Sequence, residues 1–230
     1  MISDRQSYIL AEIVTTHVVT GEPVSSKILA SGDINMSPAT VRNDMQVLEN
    51  EGFITHPHTS SGRVPTDKGY RYYIEHFMKP ARITEKEKTK LENRLSNDVD
   101  EAAIKVFAKE LSAIAHAAVI VGFHKDYLYY TGLSNLLREP EFTDTENIFS
   151  LAEAIDRREG EIAELVEQSH TTEITHIVIG DESPFGTYSS AIAAPFNYHN
   201  KKSMICIVGP IRMNYNKNCS LIDLAQSLLK

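Results

Sequence analysis

Cysteine is scarce in this 230-residue chain. Cys206 and Cys219 are the only two, too few for a disulfide framework, and a reducing compartment would leave them as thiols. Long apolar runs are missing as well. The longest, Ala117 to Phe123, is far below the roughly 20 residues needed to span a bilayer, and the opening Met1-Ile2-Ser3-Asp4-Arg5 has no signal-peptide core. The expectation is a cytoplasmic protein with no membrane partner. Positive charge is in deficit, with 23 Lys+Arg against 31 Asp+Glu, a net charge of -8 and a pI near 5.6, which rules out a generally sticky polycation. There is no internal repeat and no low-complexity tract. Asp181-Glu182 is the sort of acidic pair that could serve catalysis, yet no nucleophile elbow, phosphate loop or metal-ligand helix accompanies it. A non-enzymatic protein without a cofactor is expected.

What remains is ordinary globular composition, 42% hydrophobic and 23% charged. A chain of this length can bury about 70% of its unfolded surface, enough for two small cores or one large one. Charge is unevenly spread. Residues 1–80 carry 7 basic against 9 acidic side chains, residues 81–115 carry 7 against 7, and residues 116–230 carry 9 against 15. Between His56 and Tyr73 the balance reverses locally, with Arg63, Lys68 and Arg71 against Asp67 alone.

Residues 4–19 read as a helix with Ile9, Leu10 and Ile13 inward, ended by Gly21 and Pro23. Val24–Ala30 is a short second helix. Ser37-Pro38, a cap residue followed by proline at the first helical position, starts a third. On that third helix Val41, Met45 and Leu48 share one side, while Ala39, Asn43, Gln46 and Asn50 share the other, flanked by Thr40 and Arg42. Phe53–His56 then alternates as a strand, His58–Gly62 forms a polar tip and Arg63–Pro65 returns. Thr66-Asp67 caps a further helix stopped by Pro80. The spacing of Leu91, Leu95, Val99, Ala102 and Val106 and, one register over, Phe107, Leu111 and Ile114 predicts one long amphipathic connecting helix over 84–114. Beyond it, apolar runs at 117–123, 128–130, 174–179, 189–196 and 204–208, with helices over 148–166 and 215–229, predict an α+β domain with a mostly antiparallel sheet. The expected division is 1–80, 81–115 and 116–230.

Helix, short helix, turn, helix, hairpin is the winged helix-turn-helix order, in which the third helix enters the major groove and the hairpin touches the backbone. Asn43 and Gln46 have the amide geometry for adenine, Arg42 suits guanine or a phosphate, and Ala39 and Thr40 permit close approach. Thr59, Ser60, Arg63, Thr66, Lys68 and Arg71 suit phosphate oxygens. If two subunits bind together, about six neutralised phosphates would give a log–log salt slope of about -5. The same layout could dock a protein instead, because fold does not fix function. His56-Pro57-His58 supplies two candidate ligands where structural zinc needs four, so no metal is expected there.

Thr20-Gly21-Glu22-Pro23-Val24, Ser37-Pro38-Ala39-Thr40-Val41-Arg42-Asn43 and, above all, the run from Pro57 to Arg71 (PHTSSGRVPTDKGYR) strongly resemble the heat-inducible transcription repressor HrcA family. The likeness continues at Gly132–Leu137, Pro140-Glu141-Phe142, Ile179-Gly180 and Gly209–Tyr215. The resemblance implies a repressor of chaperone genes that binds an inverted-repeat DNA operator as a homodimer, is released on heat shock, and is kept active by the GroEL-type chaperonin. It also implies a GAF-like C-terminal domain, normally interrupted by an inserted dimerising segment. Few residues separate His124 from Gly132, so this chain is expected to lack that insertion and to dimerise through 84–114 and the sheet domain. Ser183 and Ile211 depart from the family pattern. The rival reading is a winged-helix regulator whose GAF-like domain senses a small molecule.

Overall fold

The computed structural model describes residues 2–32, 36–57, 62–95, 99–124, 127–157, 164–165 and 175–230. The chain divides into two compact units, Met1–Lys79 and Pro80–Lys230.

The first unit is built from α1 (Asp4–Thr20), α2 (Ser26–Ser31), α3 (Pro38–Asn50), a short antiparallel ladder of β1 (Ile54–Thr55) and β2 (Val64–Pro65), and α4 (Asp67–Phe77). Each helix begins where a side chain can satisfy free backbone N–H groups. Ser3 and Gln6 form a reciprocal capping box on α1, Ser37 Oγ accepts from Thr40 N at 3.2 Å on α3, and Thr66 Oγ1 accepts from Gly69 N at 3.2 Å on α4. Ile9, Leu10, Ile13 and Val14 of α1 meet Val41 and Leu48 of α3 and Tyr70 of α4 in a closed core. Val24 and Arg63 exchange backbone hydrogen bonds of 2.8 and 2.9 Å, tying the α1–α2 connection to the strand that enters β2. Gly62 permits that approach, since a Cβ there would lie 2.7 Å from the Pro23 backbone.

The second unit contains α5 (Glu85–Glu92), α6 (Glu101–Ala115), β3 (Ala118–His124), β4 (Tyr127–Thr131), α7 (Leu133–Leu136), a 3-10 turn Pro140–Phe142, α8 (Thr145–Arg157), β5 (His176–Ile179), β6 (Ser189–Tyr198), β7 (Lys201–Pro210) and α9 (Tyr215–Leu228). Its five strands form one antiparallel sheet in the order β4-β3-β7-β6-β5. On one face Ala118 and Ile120 pair with Val208 and Cys206, under Leu136, Phe142 and Leu151. On the other, Val119 and Val121 pair with Ile207 and Ile205, toward α6 and α9. A strand covered on both faces needs apolar side chains at every position, which is why β3 reads as an unbroken run. His199 and Asn200, at φ of 50° and 59°, close the two-residue β6–β7 turn in the left-handed geometry such hairpins use. Two of the family-like motifs meet: Arg212 pairs with Glu139 at 2.6 Å and with Glu141 at 2.5 Å.

The long helix predicted over 84–114 is corrected. Asn93 caps the end of α5, and Asp100 Oδ1 accepts from Ala103 N at 2.7 Å to begin α6. Arg94 and Lys90 reach Glu110 at 2.9 and 3.7 Å. Sixteen and twenty residues apart on a continuous helix, they would stand about 24–30 Å from it. The chain folds back instead, burying Leu91, Ile104, Phe107 and Leu111 and leaving Val99 and Val106 exposed. The segment 81–115 thus belongs to the second unit. Of the helix predicted over 148–166, residues 158–163 and 166 lie outside the described residues, and so does Ile174 of the strand predicted over 174–179.

Glu87 fastens this helix pair to α9. Its carboxylate accepts from Thr84 N at 2.9 Å and Thr84 Oγ1 at 2.8 Å and pairs with Lys217 at 3.0 Å. The Thr84 hydrogen bonds and Lys217 hold its pKa down to about 2. A depressed carboxylate contributes stability that is complete above its unfolded pKa near 4.5 and is lost as pH falls toward 2. Glu87→Gln is therefore expected to lower the urea midpoint at neutral pH and to lose that difference in acid. A difference that persists unchanged in acid would contradict the assignment.

Candidate nucleic-acid interface

The helix α3 is amphipathic in the register expected. Val41, Met45 and Leu48 are buried, whereas Ala39, Arg42, Asn43, Gln46 and Asn50 are exposed and Thr40 is half-buried. Among the described residues Arg42 and Asn43 form no hydrogen bond or ion pair, so both side chains are available to a ligand. Gln46 Nε2 instead donates to Glu49 Oε2 at 3.3 Å and Asn50 Oδ1 at 3.2 Å.

Asp44 lies among the apolar side chains of α3 and is only 3% exposed. A buried carboxylate needs a partner. Arg5 of α1 supplies it, donating from Nε and Nη2 to the two carboxylate oxygens at 2.8 and 2.9 Å. This bidentate pair fixes the rotation of α3 against α1 and so the direction in which Asn43 and Gln46 face.

The hairpin side of the expected set is placed differently. Thr59 and Ser60 lie outside the described residues. Arg63 is turned inward: its side chain is 20% exposed, pairs with Glu49 at 3.0 Å, and donates from Nη1 to His56 Nδ1 at 2.9 Å. Its Nε is buried without a hydrogen-bond partner among the described residues. Glu49 thus occupies the guanidinium expected to meet phosphate. Thr66 spends its hydroxyl on the fold, donating to Gly52 O at 2.7 Å while capping α4. Lys68 is exposed, donates to Glu51 O at 2.6 Å and lies 4.3 Å over the Phe53 ring. Arg71 is half-buried on α4.

Lys27, Ser25, Ser26 and His56 escape a reading based on α3 and the hairpin alone. Together with Arg42, Met45 and Arg63 they line a cavity of about 460 Å³. Ser25 caps a short helix, with Ser26 and Lys27 in its first turn, that is too short for clear periodicity, so no pattern marks them. For Asp44 a signal existed: an acid at the buried phase of an amphipathic helix announces an ion pair.

Elsewhere, both cysteines are buried; burial pushes the Cys206 thiol well up and that of Cys219 up to about 12, the latter with help from Asp223. Asp181 and Glu182 are exposed on a 3-10 turn. Among the described residues no group of three or more His, Cys, Asp or Glu could hold a metal ion, and no helix is long and apolar enough to cross a membrane.

A family model described as "HrcA protein C terminal domain" matches residues 73–218. The chain belongs to the HrcA family. Curated relatives include the "Heat-inducible transcription repressor HrcA" of Halalkalibacterium halodurans, 40% identical over 126 residues that cover 53% of this chain and 37% of the relative. The protein of the same name from Cutibacterium acnes is 41% identical over 125 residues, 54% of this chain and 37% of the relative. That of Chlorobaculum tepidum is 48% identical over 94 residues, 40% and 26%. The matched stretches thus span between about a quarter and somewhat over a third of the relatives' length. A crystal structure of a hypothetical protein superposes with a TM-score of 0.78 over 99% of this chain and 98% of the other at 18% identity, a likeness of fold. The stretch that the family model matches holds the five-stranded antiparallel sheet with its flanking helices.

Proposed function

We propose that the chain is a sequence-specific DNA-binding repressor of heat-shock genes; its relatives are named heat-inducible transcription repressors. In this reading Met1–Lys79 is a winged helix-turn-helix module and Pro80–Lys230 carries a GAF-like domain without the family's inserted segment. The observation that carries it is the exposed face of α3, where Arg42 and Asn43 stand unpartnered beside Ala39 and Gln46 on a helix held in place by the Arg5–Asp44 pair. Such a face offers guanidinium and amide groups of the kind that read base edges in the major groove.

The target is an inverted repeat and the binding species a homodimer. Two copies double the few cations one module presents, which an acidic chain needs to hold a polyanion. The helix pair α5–α6 and the sheet domain supply the contact between copies. A GroEL-type chaperonin is a further partner, acting to keep the active fraction high. The protein is cytoplasmic and not an enzyme.

The test is binding of the full chain to a duplex carrying the inverted repeat from a chaperone promoter of its own organism, against a scrambled duplex, with sedimentation of the free chain alongside. Selective binding and a dimer at micromolar concentration are expected. Equal affinity for both duplexes, or a monomer, would overturn the respective part. Lys68→Ala should weaken both duplexes alike and make the log–log salt slope shallower by about 1 per subunit, the mark of a lost phosphate contact. Loss on the operator alone would instead assign Lys68 to base reading.

A further inference from the structure

The cavity between α2, α3 and the hairpin is basic. In a chain with more acids than bases, Lys27, Arg42 and Arg63 line it with His56, Ser25 and Ser26, no carboxylate is among its described lining residues, and Glu49 meets the Arg63 charge at 3.0 Å. Met45 gives it one apolar wall. Like charges gathered in a concave site repel one another and are tolerated where an anion is to be held. Two details point to a ligand. The side chains of Lys27 and Arg42 form no ion pair or hydrogen bond among the described residues, although acids are abundant. The volume, about 460 Å³, lies in the range of preformed ligand sites and exceeds what one small ion fills.

We propose that this cavity is a seat for a phosphate group, taken either from the DNA backbone or from a small phosphorylated ligand. The Arg42 guanidinium, the Lys27 ammonium and the serine hydroxyls are donors of the kind a tetrahedral oxyanion accepts, and the volume beside them exceeds that of the phosphate alone. Arg42 faces both the cavity and the exposed side of α3, so a phosphate seated there would adjoin the bases that α3 reads. The backbone source rests on the DNA-binding reading above; the seat itself does not.

The experiment has two arms, both on the full chain. Lys27 is exposed and unpartnered among the described residues, so Lys27→Ala should fold normally. In the first arm, labelled inverted-repeat and scrambled duplexes are titrated across a salt series. Lys27→Ala is expected to weaken both by about tenfold and to make the salt slope shallower by about 1 per subunit. In the second arm, thermal unfolding is followed without DNA, in inorganic phosphate against chloride at matched ionic strength. Phosphate should stabilise the parent chain and not the Lys27→Ala/Arg42→Ala variant. A response in the first arm identifies the backbone as the source, and a response in the second alone identifies a free phosphorylated ligand. Unchanged slopes together with identical phosphate responses would overturn the seat. If the parent chain binds neither duplex, the repressor reading fails and the phosphate arm alone decides this one.

Discussion

Gly69→Ala should strongly destabilise the N-terminal unit while leaving the sheet domain standing. Gly69 lies in the first turn of α4, where a Cβ would fall 2.1 Å from the carbonyl oxygen of Phe53 and 3.5 Å from the Pro65 Cβ. That oxygen already accepts from Thr66 N at 3.0 Å, and Phe53 N donates to Leu48 O at 2.9 Å. Backbone stands in the way rather than the end of a flexible side chain, so room can come only by prying α4 from the end of α3. The cost should be about 3 kcal/mol or more, a large share of the 5–15 kcal/mol that typically stabilises a domain. Urea unfolding should show a low-concentration transition absent from the parent chain, with duplex binding lost and the remaining transition unmoved. An unshifted profile would mean that the α3–β1–α4 junction is far more yielding than its hydrogen bonds imply.

The second large effect concerns sequence preference. Asn43→Ala should relax discrimination at one base pair by about 1–3 kcal/mol, because a bidentate amide contact is removed with nothing to replace it. Gln46→Ala should cost less. Gln46 already donates to Glu49 and Asn50 and must surrender those partners to reach a base, whereas Asn43 surrenders none. Competition binding with operators altered one base pair at a time would measure both. Equal losses on operator and scrambled duplex would strip the two amides of a reading role.

Much of this architecture was legible. Ser37-Pro38 and Thr66-Asp67 are start signals that act through local capping chemistry, so α3 and α4 were located within a few residues. The strands showed through because burial on two faces leaves no polar alternation to confuse with a helix. The break between α5 and α6 was harder, since heptad-like spacing persists across 84–114 and only the shift of register between the Leu91 and Phe107 stripes marks two helices rather than one. The partner in an ion pair over a long sequence distance was invisible in principle. No local pattern says that Arg63 turns to Glu49, or Arg5 to Asp44 across 39 residues. The sequence therefore placed the amides of α3 on the surface, where they are, and gave no sign that the arginine of the hairpin is held by Glu49.

That inward arginine joins two parts that a DNA reader would ordinarily use separately. Glu49 sits one turn beyond Gln46, and its grip on Arg63 couples the reading helix to the strand beneath the hairpin. Any displacement of α3 therefore pulls on the residue that enters β2 and, through the Val24–Arg63 backbone bonds, on the α1–α2 connection, so three segments far apart in sequence shift as one.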